Sequence, residues 1–203
     1  MLGLQRATSA AISDSETTYR PTFDERKATH LAAYLLQKTH NQTLYILKLV
    51  KLLYIVDRES LIQLGHPVTY DNFVSMPHGP VPSNTLDLIN GMVLDKSGIW
   101  NAMISDKSDH MVSIVDCEVS YDSLSEAEME IADQVFDKYG RMPRFDLVEI
   151  THTFSEWQDP HGSSKAFDYK DILKAGGLPE AQITAIIEEL AEQDAINKIL
   201  TSV

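Results

Sequence analysis

Residues 44–92 constrain the fold more than any other part of the chain. The stretch opens with a strongly apolar segment, which predicts a long apolar helix. Gly65 and Pro67 are expected to end that helix. Four further residues then interrupt an extended segment before a second, shorter helix: Pro77, Gly79, Pro80 and Pro82. The stretch therefore predicts an apolar helix, a rigid proline-rich segment and a second, capped helix.

The remaining pattern predicts a mainly α (α+β) fold, a compact helical domain with a small two- or three-stranded β ribbon. Predicted helices cover residues 24–39, 43–64, 83–90, 124–139, 144–152 and 179–200. Thr43, Ser83 and Ser125 are the expected N-caps, and Glu128 completes a capping box with Ser125. Residues 69–76 and 109–119 are predicted strands, which we expect to pair with each other.

The chain is expected to divide into three parts. Residues 1–23 are rich in Ser, Thr and Ala and predict a disordered leader, or a start codon placed too far upstream. Residues 24–160 predict one domain, and residues 161–203 a helical extension packed on that domain. The leader lacks a signal-peptide pattern, and no apolar run reaches the ~18 residues of a membrane helix. The single cysteine, Cys117, cannot form an internal disulfide, so a cytoplasmic location is expected.

The charge of the chain is acidic and unevenly distributed. The net charge is -13, of which residues 1–121 carry -3 and residues 122–203 carry -10. Duplex DNA binding normally needs a basic face, so direct nucleic-acid binding is not expected. The acidic C-terminal half favours a basic partner, or simply keeps the chain in solution.

On the predicted long helix, one carboxylate lies on the apolar side. At 100° per residue, Lys48, Lys51 and Arg58 share a polar face, whereas Asp57 lies opposite them. A buried charge must be paired or hydrogen-bonded. Asp57 is therefore interpreted as a structural brace, as a residue beneath a partner-binding groove, or as a general base.

The proline-rich segment is the tightest local motif. Gly79 stands between His78 and Pro80, which indicates a backbone geometry or a close approach that a side chain would obstruct. The prolines fix φ and make the segment rigid before anything binds it. The motif is either the start of a helix or a preordered binding loop.

Metal, cofactor and catalytic motifs are not evident. The seven histidines have no metal-ligand spacing, Cys117 has no thiol companion, and no phosphate loop or nucleophile elbow occurs. We expect no metal, no cofactor and no enzymatic activity. A less favoured hypothesis is a small hydrolase that uses Asp57, His78 and His152 as an acid–base set.

Several blocks in the same order resemble the Panacea domain of SocA-like antitoxins. These blocks are Lys48-Leu49-Val50-Lys51-Leu52-Leu53-Tyr54, Asp57-Arg58, Gly65-His66-Pro67, Gly79-Pro80-Val81, and Lys138-Tyr139-Gly140 followed by Leu147, Thr151-His152 and Trp157. The likeness covers about residues 26–160. His78 departs from it, because the family more often carries tyrosine at that position.

The resemblance implies an antitoxin-like module that neutralises a cognate toxin by direct binding, with a protease-adaptor role as a variant. The implied partners are a toxin encoded nearby and a protease complex. Apart from the resemblance, the charge of the acidic C-terminal helix predicts either a solvated face or a surface that meets a basic toxin or a second copy of the chain. A phage or mobile-element accessory protein that binds host proteins is the alternative. The residues implied in partner binding are Lys48, Lys51, Tyr54, Asp57, Arg58, His78, Gly79, Pro80, Val81, His152 and Trp157.

Overall fold

A computed structural model describes residues 19, 21–92, 98–115 and 120–201. Most of the predicted leader, Cys117 and the end of the second predicted strand lie outside these residues. Within them the chain forms eight helices and two small antiparallel sheets, so the mainly α fold class is confirmed. None of the described helices is both long enough and apolar enough to cross a membrane.

The helices and strands follow one another in a simple order. The helices are α1 (Glu25–Gln37), α2 (Ile46–Leu64), α3 (Ser83–Asn90), α4 (Ile99–Met103), α5 (Glu126–Tyr139), α6 (Arg144–His152), α7 (Tyr169–Ala175) and α8 (Glu180–Thr201). The strands are β1 (Thr43–Tyr45), β2 (Phe73–Met76), β3 (Gly79–Pro82), β4 (Met111–Ser113) and β5 (Lys165–Phe167).

Helix α2 is the centre of the molecule. It contacts α1, α5, α6, α7 and β3, and its residues 49–57 are all buried. A helix surrounded on every side must be apolar nearly all round, which explains its dense run of Leu, Ile and Val. The prediction that Lys51 lies on a polar face is therefore wrong, because α6 and β3 cover that side of the helix as well.

Local capping signals predicted some helix ends and failed at others. Gly65 ends α2 with φ +81°, and Ser125 and Glu128 form the predicted capping box of α5. Thr43 is not an N-cap, because it pairs with β4 as part of β1, and Tyr45 precedes α2 instead. The predicted cap at Ser83 is also wrong, because Ser83 is the first residue of α3 and Pro82 occupies the N-cap position.

The predicted strands exist, but they do not pair with each other. Strand β2 pairs with β3 through the two-residue turn 77–78, while β4 pairs with β1. A hairpin closes a much shorter loop than the predicted pairing, which would span more than 30 residues, so its entropic cost is lower. The proline-rich segment is thus a strand, with Gly79 opposite Met76.

Elements after residue 160 join the same core. Strand β5 pairs with the second edge of β2, in the register Phe73 to Phe167. Helix α7 packs on α2, and α8 packs on α7 with Ile183 and Leu190 buried. Sequence patterns did not predict α4, α7, β1 or β5, each of which has seven residues or fewer.

Candidate protein-binding site around the β2–β3 hairpin

A buried lysine holds the hairpin against α2. The side chain of Lys51 is fully buried, and its Nζ donates a hydrogen bond to the carbonyl oxygen of Pro80 at 2.7 Å. Burial without a carboxylate partner lowers the pKa of Lys51 to about 7. The amine thus fixes the proline-rich strand at a point where the ladder lacks an N–H donor.

Gly79 allows the hairpin to come this close. Its φ is +89°, and a Cβ added here would meet the Oγ1 atom of Thr151 and lie 3.1 Å from Nζ of Lys51. The predicted close approach at Gly79 is therefore confirmed, and the neighbour on the far side is α6. Only glycine combines this φ with this lack of space.

Two aromatic rings support the opposite strand of the hairpin, beside its turn. The indole Nε1 of Trp157 donates to the carbonyl oxygen of Met76, the last residue of β2, at 3.1 Å. The imidazole of His152 stacks on Trp157 with ring centroids 4.0 Å apart. Its Nε2 is buried and has no hydrogen-bond partner within the described residues. The motif residues 152 and 157 thus act on the same hairpin as Lys51.

A second cluster lies further along α2. The hydroxyl of Tyr54 and the Nε of Arg58 both donate to Oε1 of Glu156, each at 2.7 Å. The Arg58 guanidinium also lies 4.3 Å from the ring centroid of Phe154. Sequence reasoning missed Glu156, although its place beside Trp157 in the last family block was an available signal. The cluster attaches the segment after α6 to α2.

Asp57 ties α2 to the segment before β2. It is fully buried and accepts from the backbone N–H groups of Val68 and Thr69, at 2.8 and 2.9 Å, and from the Thr69 hydroxyl at 2.6 Å. Burial raises the pKa of Asp57 to about 7, against the lowering effect of the hydrogen bonds from Thr69 and Val68. This geometry fits the bracing interpretation of Asp57.

Asp71 performs a similar task for α3, and no sequence pattern predicts it. It accepts from the N–H groups of Asn84 and Thr85, both at 2.8 Å, and from the Thr85 hydroxyl at 2.7 Å. The first turn of a helix leaves such N–H groups unsatisfied, and Pro82 offers no capping side chain. A carboxylate 13 residues upstream supplies the cap, beyond the reach of any local motif.

An open groove lies beside the hairpin. Its volume is about 1040 Å³, and it runs between the start of α2, the β2–β3 hairpin and the start of α6. Lys51, His78 and Val81 of the predicted set line it. Tyr45 and Phe145 stand at its mouth with 40% and 57% of their surface exposed. Of the three predicted residues, His78 is exposed, whereas Lys51 and Val81 are buried.

Other predicted residues lie apart from the groove. Lys48 donates to the carbonyl oxygen of Met142 at 2.8 Å and faces a separate cleft beside α5. Among the hydrogen bonds and ion pairs of the described residues, none joins Asp57, His78 and His152 to one another. Within the same residues, His, Cys, Asp and Glu side chains form no group of three that could hold a metal.

Together these contacts define a class: a mainly helical protein with a proline-rich hairpin clamped to one buried helix. The family model for "Antitoxin SocA-like, Panacea domain" matches residues 49–158, and the chain belongs to this family. The match starts in α2 and ends just after Trp157, so it includes the hairpin together with Lys51 and Trp157, which hold it. No curated protein and no solved structure matches the chain.

Proposed function

We propose that this protein is an antitoxin that neutralises a cognate toxin by direct, non-covalent binding. Its membership of the SocA-like antitoxin family over residues 49–158 is the observation that carries the proposal. An antitoxin of this kind acts through a surface and needs no catalytic group. The toxin is the partner, and a neighbouring gene is the place to look for it.

The clamped hairpin supports a binding role. Lys51 and Trp157 hold the turn end of the hairpin, one through each strand, and its prolines restrict the backbone in the free chain. A surface that is ordered before association loses less conformational entropy when a partner binds. Of the predicted partner-binding residues, His78 is exposed for direct contact, whereas Tyr54 and Asp57 are buried and shape the surface from below.

The bonding of Asp57 favours binding over hydrolysis. Both of its carboxylate oxygens accept hydrogen bonds from Val68 and Thr69, and no part of the side chain reaches solvent. A general base needs access to a substrate proton. We therefore expect an Asp57→Asn variant to retain antitoxin function wherever it remains folded.

Toxicity rescue tests the proposal. Reading frames adjacent to the gene are expressed singly in a bacterial host, together with this chain or with a version carrying an early stop codon. We expect one frame to arrest growth and the intact chain to restore it. If no adjacent frame is toxic, or if the chain rescues none, the antitoxin function is wrong and an accessory role toward host proteins gains support.

The same assay separates direct neutralisation from delivery to a protease. Direct binding leaves the amount of toxin unchanged when growth recovers, and the two proteins then purify together. An adaptor lowers the amount of toxin, and rescue disappears in hosts that lack the responsible protease. Quantitative immunoblotting of a tagged toxin distinguishes the two results.

A further inference from the structure

The groove beside the hairpin is apolar and incompletely covered. Leu47, Val50, Met76 and Leu86 contribute to its walls, and the exposed rings of Tyr45 and Phe145 flank the opening. Exposed aromatic side chains around an apolar depression are typical of surfaces that bind another protein. The shape suits the apolar face of a helix.

The cations of the groove have partners other than carboxylates. Among the described residues elsewhere, six basic side chains pair with carboxylates, whereas Lys48 and Lys138 do not: the pairs are Arg26 with Asp122, Lys27 with Glu128, Lys38 with Asp133, Arg58 with Glu156, Lys174 with Glu180 and Lys198 with Asp194. In the groove, Arg144 stacks on Tyr45 at 3.8 Å and Lys107 donates to Asn90 at 3.0 Å. Within the described residues, neither has a carboxylate partner.

This leaves a local positive charge on a protein with a net charge of -13. At the surface of the groove, Lys107 and Arg144 stand against a single carboxylate, Asp109, while the buried amine of Lys51 is already bonded to Pro80. An occupant that offers acidic side chains beside apolar ones would complement both properties of the groove.

The end of α8 has these complementary properties. Ile196, Ile199 and Leu200 are 56%, 66% and 70% exposed, and they follow the i, i+3, i+4 spacing of one helix face. At 100° per residue, two exposed glutamates lie on the same face: Glu192 is about one turn before Ile196, and Glu189 is about two turns before it. The face spans about 17 Å at 1.5 Å per residue.

We propose that the groove of one copy binds the acidic, apolar face of α8 from a second copy, so that the chain forms a homodimer. Reciprocal exchange of the two helices buries both apolar surfaces and closes the assembly at two subunits. Arg144 then faces glutamates of the partner helix, and Phe145 contacts its aliphatic side chains.

Four variants test the contact by light scattering and sedimentation over a wide concentration range. Arg144→Glu and Phe145→Ala alter the groove, whereas Glu192→Lys and Leu200→Ala alter the helix. We expect a dimer for the native chain and at least about tenfold weaker association for each variant. Matched controls are Lys138→Glu, an exposed cation stacked on Tyr139 outside the groove, and Met92→Ala, an exposed apolar residue outside both surfaces.

Mixing makes the test specific to this geometry. Arg144→Glu and Glu192→Lys chains, each impaired alone, should associate with each other because the reversed charges match again. A monomeric native chain would overturn the proposal, as would dimerisation that none of the four variants changes. Groove variants that lose toxin binding while the native chain is monomeric would assign the groove to the toxin and contradict the homodimer.

Discussion

At the scale of single residues, Lys51 places an amine fully inside the core. An ammonium group removed from water loses several kcal/mol of solvation, and one hydrogen bond to Pro80 compensates only part of that. Because its burial does not stabilise the fold, the role of the amine is better explained by the geometry that it imposes. It specifies where the hairpin lies on α2, since Pro80 is the point that the amine holds.

The burial of Lys51 predicts a distinctive pH dependence. Its pKa falls from the ordinary 10.5 to about 7 in the folded chain, so between these values the unfolded chain binds more protons. Stability should therefore rise with pH from about 7 to 10, at up to about 1.4 kcal/mol per pH unit for this group. Below pH 7 both states hold the proton, so the destabilising cost of the buried charge is fully present and no longer changes with pH.

A Lys51→Met chain isolates this contribution. Methionine keeps the length of the side chain and removes the ammonium, so the rise in stability between pH 7 and 9 should become shallower than in the native chain. Urea unfolding of both chains at pH 7, 8 and 9 provides the comparison. Parallel curves for the two chains would mean that the amine is not desolvated in the fold.

Sequence reasoning at this scale succeeded where the cause is local. A glycine between His78 and Pro80 indicates restricted space without knowledge of the neighbour. The burial of Lys51 depends on α6, which begins more than 90 residues later, and the partner of Asp71 lies 13 residues away. Helical periodicity places a residue on a face, but it does not say how many faces other elements will cover.

At the scale of elements, the β2–β3 hairpin depends on tight packing against α6. Gly79 touches that helix through Thr151, and the hairpin also contacts α2. Small changes in volume at such a contact displace a whole strand, because neither helix can move away easily.

Two glycine substitutions separate packing from backbone strain. Gly79→Ala introduces both a positive φ for alanine and a clash with Thr151, whereas Gly177→Ala, at φ +81° with open space, introduces the strain alone. We expect Gly177→Ala to cost about 1–2 kcal/mol and Gly79→Ala at least about 2 kcal/mol more. Chemical denaturation measures both.

A third chain tests the assigned neighbour. Removing the hydroxyl in a Gly79→Ala, Thr151→Ala double variant should recover part of the additional loss, because the nearest clashing atom is gone. No recovery relative to the Gly79→Ala chain would place the clash elsewhere.

Elements that depend on residues close in sequence were easier to predict than elements that depend on distant contacts. Helices α1, α5 and α6 were predicted to within one or two residues, since apolar spacing and caps such as the Ser125–Glu128 box act within one turn. Strand pairing was predicted wrongly, because a three-residue strand such as β1 or β5 carries too little pattern to specify its partner. Those strands form because tertiary contacts select them.

At the scale of the whole molecule, the folded core extends beyond the residues that the family model matches. The match ends at residue 158, yet the core continues through the buried Ile172, Leu173, Ile183 and Leu190. Strand β5 also covers the outer edge of β2. Residues 165–190 therefore belong to the folded unit in which the hairpin is held.

Truncation tests this integration. A chain that stops after residue 160 should lose cooperative unfolding and associate nonspecifically, because it exposes the apolar side of α2 and an unpaired strand edge. A chain that stops after residue 194 removes only the exposed end of α8 and should stay folded. Circular dichroism melting and gel filtration compare the two, and a well-folded monomer from the shorter chain would contradict the prediction.

The pairing of β2 with β5 also bears on how the protein is made. Phe167 leaves the ribosome 94 residues after its partner Phe73, a delay of about 5–20 s at ordinary rates of synthesis. Until then the outer edge of β2 stays open on the nascent chain and offers backbone groups to any other extended segment. Early protection by a chaperone, or by a binding partner already present, would decide how much of each newly made chain reaches the folded state.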